Sequence, residues 1–297
     1  MWDPVNRVLK GTSGRNVWPG VKFSREDVWK GTDRIEGLLR DWVRWQERKD
    51  KYPAFNTFAA VLRRVSPPDL GPLVAGEPQR IPGEIRDIPT LVHPYGTVPI
   101  VFASAGIRRI ITLAYLIVWA WEEHKLQAKQ AGKREERQMV VMIDEVEAHL
   151  HPRWQRVILP ALMGIGEDLS PELSMQMLVG THSPLVLASS EPVFEEDRDS
   201  LFHLELMKNG RIEMAQLPFD LRGSIDSWLS SDVFKVEHPG SPEREEAIRA
   251  AIKLQRAKRP AQEDVQEVSE RLKEFLPPED PFWPRWVFFA EEHGVEV

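Results

Sequence analysis

The sequence predicts an α/β protein with a largely parallel sheet and flanking helices. Two observations carry this. Short apolar runs alternate with helix-length amphipathic stretches across residues 91–217, and strand–helix–strand order makes neighbouring strands parallel. The runs MVVMI at 139–143 and MQMLV at 175–179 are compact enough to read as strands buried on both faces.

The elements follow in order. Residues 1–30 are rich in Gly, Pro, Trp and Asn, show no long period, and read as loop, GTSGRNVWPG especially. From 33 to about 48, Ile35, Leu38, Leu39, Trp42 and Trp45 recur at helical spacing. A second such helix is expected over 55–65, closed by SPPDLGP. Residues 66–90 read as loop with short strands. LVHPYGTVPIVF, at 91–102, reads as a hairpin around Pro-Tyr-Gly-Thr. Ser104 is placed to cap a long helix to about Gln130, with Gly132 as its stop. Pro152 opens one further helix carrying Trp154, Val157, Ile158, Leu162 and Met163. A short helix is expected at 184–189. A hairpin is expected over 201–217 around Lys-Asn-Gly. Loop to about 240, helices at 242–258 and 262–275, and an aromatic tail folding back complete the reading. Three regions result: a loop-rich and helical arm at 1–90, the α/β region at 91–217, and a helical extension at 218–297.

Bulk properties narrow the function. The 297 residues are 42% hydrophobic and 29% charged, an ordinary globular balance. A net charge of −7 argues against a whole-surface nucleic-acid binder. Lys253, Arg256, Lys258 and Arg259 still form a local basic cluster that could meet DNA. With no cysteine, disulfides, thiolate catalysis and Cys-ligated zinc are excluded. The start, MWDPVNRVLK, lacks a signal-peptide h-region, and IITLAYLIVWAW at 110–121 is too short to span a bilayer. A cytoplasmic protein without a membrane partner is expected.

Residues 143–154, IDEVEAHLHPRW, carry the chemistry. Glu145, Glu147, His149 and His151 fall at alternate positions, so a continuing strand would gather them on one face as a metal site. Pro152 argues that the strand stops earlier. The other reading takes Asp144 and Glu145 as acids at the carboxyl end of a buried strand. In a phosphoanhydride hydrolase the first would hold Mg²⁺ and the second would polarise the attacking water. Downstream, VGTHSP puts His182 just past the next strand, within reach of a γ-phosphate. Upstream, Ser104 and Gly106 open a long helix whose free N–H groups could take an anion.

In this order and spacing, these three signals resemble the second half of an ABC-type ATPase. The resemblance is to bacterial AAA ATPases grouped with RecF, SMC and OLD-family proteins, and is strongest over about 90–217. It implies a partial P-loop NTPase sheet, ATP and Mg²⁺ as ligands, and roles for particular residues. Asp144 matches the Walker B acid, Glu145 the catalytic glutamate and His182 the switch histidine. Ser104 and Gly106 match the signature that meets the ATP of the opposite protomer. Residues 148–152 match the D-loop at a dimer interface, leaving Glu147, His149 and His151 to shape the loop. The signature here is Ala-Ser-Ala-Gly-Ile, followed by Arg108 and Arg109, a departure from the usual Leu-Ser-Gly-Gly-Gln.

The companion Walker A loop is missing: neither Gly-Lys-Ser nor Gly-Lys-Thr occurs. The chain is therefore expected to be part of a longer ATPase, to take that lobe from another subunit, or to have lost ATP binding. The leading expectation is an ATP hydrolase completed by a Walker A lobe and a second protomer. By family analogy it would be linked to DNA, a nuclease partner or defence against phage. The alternative is a non-catalytic module that docks on a true ATPase.

Overall fold

The structure, a computed structural model, describes residues 2–3, 8–9, 22–67, 71–236, 240–257 and 259–297. The loop reading of 11–20 and Lys258 of the basic cluster lie outside the described residues. The chain forms two compact units, Met1–Phe194 and Glu195–Val297.

The first unit starts with a two-residue antiparallel pair, β1 (Trp2–Asp3) with β2 (Val8–Leu9). Helix α1 (Arg25–Lys30) occupies part of the stretch read as loop. Its signal is a capping box: Asp27 N–H donates to Ser24 Oγ at 3.1 Å, and Ser24 N–H donates to Asp27 Oδ2 at 2.8 Å. Its six residues, fewer than two turns, are too few to show a period. Helices α2 (Leu38–Glu47) and α3 (Ala54–Arg64) follow as expected, although α2 starts later than 33. Strands β3 (Val74–Gln79), β4 (Ile88–His93) and β5 (Gly96–Pro99) form an antiparallel meander, with Pro94 and Tyr95 at the predicted hairpin tip. One 3₁₀ turn leads into α4 (Ala105–Gln130), capped by Ser104 and followed by Gly132 at φ +61°.

Helix α4 is the axis of this unit. Its Ile110, Ile111, Ala114, Tyr115 and Val118 are buried in one core with Trp42, Phe58 and Leu62. Polar side chains stitch the early helices to later ones. Trp29 Nε1 donates to Thr112 Oγ1 at 2.8 Å, and Trp154 Nε1 to the Val65 carbonyl at 3.0 Å.

A third stitch is ionisable. Buried Asp41 accepts from Tyr115 Oη at 2.8 Å and from Arg44 Nη2 at 2.8 Å. Burial raises its pKa above 3.8, and the bonds from Tyr115 and Arg44 offset only part of that. A raised folded pKa means that Asp41 favours the fold below the unfolded value, and that this advantage is lost as pH rises through the folded value. Asp41→Asn is neutral throughout. The unfolding free energy of wild type minus that of Asp41→Asn should therefore fall as pH rises above the ordinary carboxylate value of 3.8 in urea titrations. A flat difference would refute the assignment.

Strand β6 (Gln138–Ile143) pairs in parallel with β7 (Ser174–Val179), Ile143 opposite Val179. Between them the expected single helix is three: α5 (Pro152–Gln155), α6 (Ile158–Met163) and α7 (Ile165–Leu169). Pro160 has no N–H for a continuous helix, and the break at Val157 puts it in the first turn of α6, where none is needed. Gly164 separates α6 from α7. Helix α8 (Pro184–Ser190) closes the unit.

Burial corrects the strand reading. Ile143 is buried, but Val140 is 60% exposed, Met142 76% and Leu178 46%. The core covers one face of the pair and leaves the other open. The parallel part of the sheet is these two strands, and every other ladder among the described residues is antiparallel.

The second unit begins with the predicted hairpin, β8 (Leu201–Leu206) with β9 (Ile212–Leu217), and Gly210 at φ +76° in its turn. A short helix, α9 (Ile225–Leu229), lies in a stretch read as loop. Helices α10 (Pro242–Gln255), α11 (Gln262–Phe275) and α12 (Trp283–Glu292) pack around buried Trp286, whose Nε1 donates to Ser269 Oγ at 3.1 Å. The aromatic tail thus builds the core of its own unit. Among the described residues no helix is long and apolar enough to cross a membrane.

Candidate functional site

Parallel pairing sets the ends of β6 and β7 side by side, and the loops that follow them form the site. Gly180 N–H donates to the Ile143 carbonyl at 2.8 Å, and Val146 N–H to the Gly180 carbonyl at 3.2 Å. Asp144 is the first residue past β6 and is exposed. A Cβ on Gly180 would stand 2.8 Å from Asp144 Oδ1, so glycine leaves that carboxylate its room.

The chain turns sharply at once. Glu145 and His149 have φ of +49° and +64°, the left-handed region that costs an L-residue energy. The strand alternation that would gather Glu145, Glu147, His149 and His151 therefore does not exist. Each does something else. Glu145 is exposed. The Glu147 carboxylate bridges to the next loop, accepting from Thr181 Oγ1 at 2.7 Å and from His182 N–H at 2.6 Å. His151 caps α5, its Nδ1 accepting from Arg153 N–H at 3.2 Å. Among the described residues no group of three or more His, Asp or Glu side chains is placed to hold a metal.

His182 is exposed, on a loop fixed from both sides. Besides the Glu147 bridge, Ser183 Oγ donates to Gln155 Oε1 at 2.7 Å, and Gln155 Nε2 donates to the Leu150 carbonyl at 3.0 Å. The loops after β6 and β7 are thus joined through side chains as well as backbone.

The start of α4 completes the arrangement. Ser104 is exposed, and its Oγ accepts from Ile107 N–H at 3.4 Å. Gly106 is buried against the loop after β6, where an added Cβ would lie 2.7 Å from the His149 carbonyl oxygen. Arg109 Nη2 donates to the carbonyls of Asp144 and Glu145 at 3.1 and 2.7 Å. The structure thus brings all five candidate residues onto three elements bonded or packed together at one end of β6. The ties made by Arg109 and Gln155 have no sequence signature, whereas Glu147 shapes the loop as expected.

Gly106→Ala tests this packing with opposite expectations from two physical effects. Helix propensity alone would make alanine stabilising by about 1 kcal/mol. The clash with a backbone oxygen should instead destabilise the protein by about 1–3 kcal/mol. A lowered urea midpoint supports the contact, and a raised one removes it.

Asp144 offers what Mg²⁺ takes: an exposed carboxylate, a hard oxygen donor, at a strand end with space cleared by Gly180. The first backbone N–H groups of α4 are suited to phosphate oxygens.

Residues 94–187 match the family model of an AAA ATPase domain, a span that includes all five candidate residues. The chain is similar to a retron Ec83 probable ATPase of Escherichia coli, 28% identical over 142 residues, covering 48% of this chain and 23% of that protein. It is also similar to a retron Vc95 probable ATPase of Vibrio cholerae serotype O1 biovar El Tor, 44% identical over 50 residues, covering 17% of this chain and 9% of that protein. The matched part is thus less than a quarter of the length of either relative. These likenesses support an AAA-type ATPase family.

Proposed function

We propose that this chain supplies the acid, switch and signature elements of an ABC-type ATPase, which hydrolyses ATP at a site shared between protomers. The observation that carries the reading is the convergence of Asp144, Glu145 and His182 at the carboxyl ends of two parallel strands, where α/β sheets bind ligands. The sequence has no Gly-Lys-Ser or Gly-Lys-Thr, so the Walker A lysine comes from a separate lobe.

In this reading Asp144 holds Mg²⁺, which neutralises phosphate charge when bound. Glu145 takes a proton from the attacking water, a role for a solvent-facing carboxylate beside the metal ligand. His182, held at its backbone by Glu147, contacts the γ-phosphate. Ser104 and Gly106 face the ATP of a second protomer, so that ATP joins two copies and hydrolysis releases them. The open face at Val140, Met142 and Leu178 is consistent with a further lobe against β6 and β7. A cytoplasmic role in phage defence, with DNA or a nuclease as partner, extends this by family analogy alone. The missing Walker A motif also favours a second reading, a non-catalytic module docked on a true ATPase.

The deciding experiment takes the protein from its source cell, measures the intact mass of the polypeptide carrying this sequence, and assays Mg²⁺-dependent ATP turnover. A Walker A sequence in that polypeptide or a co-purifying one, with turnover abolished by Asp144→Ala, supports the proposal. Absence of turnover from the complete assembly rejects it.

A further inference from the structure

The contact between Arg109 and the turn after β6 goes beyond the roles given above. We propose that Arg109 is the positioning residue for Glu145, setting its backbone torsions from α4. This rests on the ATPase reading for its catalytic consequence, though not for its geometry.

The two carbonyls that Arg109 Nη2 holds belong to the two peptide planes flanking the Glu145 Cα. That of Asp144 lies in the plane before Glu145, and that of Glu145 in the plane after it. Peptide planes are rigid, so φ and ψ of Glu145 are the soft rotations between them. A donor gripping both planes therefore restrains both torsions. One guanidinium nitrogen carries two N–H groups, one for each oxygen, and its charge strengthens both bonds.

These torsions need restraint. At φ +49° Glu145 sits where its Cβ crowds the backbone, a conformation that persists only when its surroundings over-determine it. Two further restraints come from the loops themselves: Ala148 N–H donates to the Glu145 carbonyl at 2.9 Å, and Val146 N–H to the Gly180 carbonyl. Arg109 adds one from the signature helix. Ser104 caps that helix less than two turns earlier, and Gly106 rests on the His149 carbonyl in between. A ligand engaging Ser104 therefore loads the same helical segment that orients the proposed base. In this way occupancy of the signature by a second protomer's ATP is felt at Glu145 in its own chain.

The test has two readouts. Hydrogen exchange on the full chain compares wild type with Arg109→Ala. The Val146 and Ala148 amides should exchange about tenfold faster, while β6, β7 and the melting temperature hold. Unchanged exchange at these amides overturns the proposal. In the ATPase from the source cell, Arg109→Ala should lower kcat about 10- to 100-fold and leave KM within about twofold, because misplacing a base costs rate more than ground-state binding. An unchanged kcat, or a loss confined to KM, also overturns it. If the wild-type protein turns over no ATP, the ATPase reading fails, and the exchange data still decide whether Arg109 holds the turn.

Discussion

Glu145→Gln is expected to lower ATP turnover by about 10²- to 10⁴-fold and to leave ATP binding intact, the range that general-base catalysis contributes. Glutamine has the same shape and fits the same exposed, left-handed position, so the turn after β6 should survive. It cannot take a proton from water. Binding would then proceed without the step that releases it, and the ATP-bound pair should accumulate. Size-exclusion chromatography with Mg²⁺ and ATP, in the assembly containing the Walker A lobe, should show a larger species holding nucleotide. Phosphate release measures the rate. Turnover within about threefold of wild type would remove Glu145 from the chemistry. In the docking-module reading the substitution changes nothing in either assay.

Trp42→Ala should destabilise the first unit by about 3–5 kcal/mol, the usual cost of removing a fully buried tryptophan. The Trp42 ring packs edge-on against Phe58 at a centroid distance of 4.7 Å. Its Nε1 donates to Gln46 Oε1 at 3.1 Å, and buried Gln46 passes the connection on, Nε2 donating to the Gly76 carbonyl at 3.0 Å. Alanine would therefore leave a cavity and strand a buried amide oxygen. For a unit of this size the loss corresponds to a melting temperature lower by about 10 °C. A shift below about 2 °C in a thermal scan would show that Trp42 is not the keystone of α2, α3 and β3. Because α4 shares this core, the geometry at Ser104 and Gly106 should loosen with it.

How much was legible follows from how local each signal is. The α4 cap at Ser104, the hairpin at Lys208-Asn209-Gly210 and the β6 and β7 runs were readable because their determinants lie within a few residues of each other. Helix α1 is not legible because its six residues announce themselves only through the Ser24–Asp27 pair. The single helix expected after Pro152 failed on Pro160, whose missing N–H outweighs the apolar pattern around it. The both-face burial expected of β6 failed for a different reason. An apolar run shows that a strand can be buried, and the surrounding chain decides on how many faces it is.

The sequence by itself determined where the candidate residues fall: Asp144 and Glu145 past one strand, His182 past the next, Ser104 and Gly106 at a helix start. Strand ends and helix caps are short-range properties, set by where apolar runs stop and Ser, Gly or Pro intervene. Only the tertiary structure decided how these points are held. The bonds from Arg109 to the Asp144 and Glu145 carbonyls, and from Thr181 and His182 to Glu147, join residues 34 to 36 positions apart. No local period encodes such a pairing. It arises because β6 and β7 run parallel and the start of α4 rests on the loop after β6, so that backbone oxygens and side chains distant in sequence meet at one end of the strands.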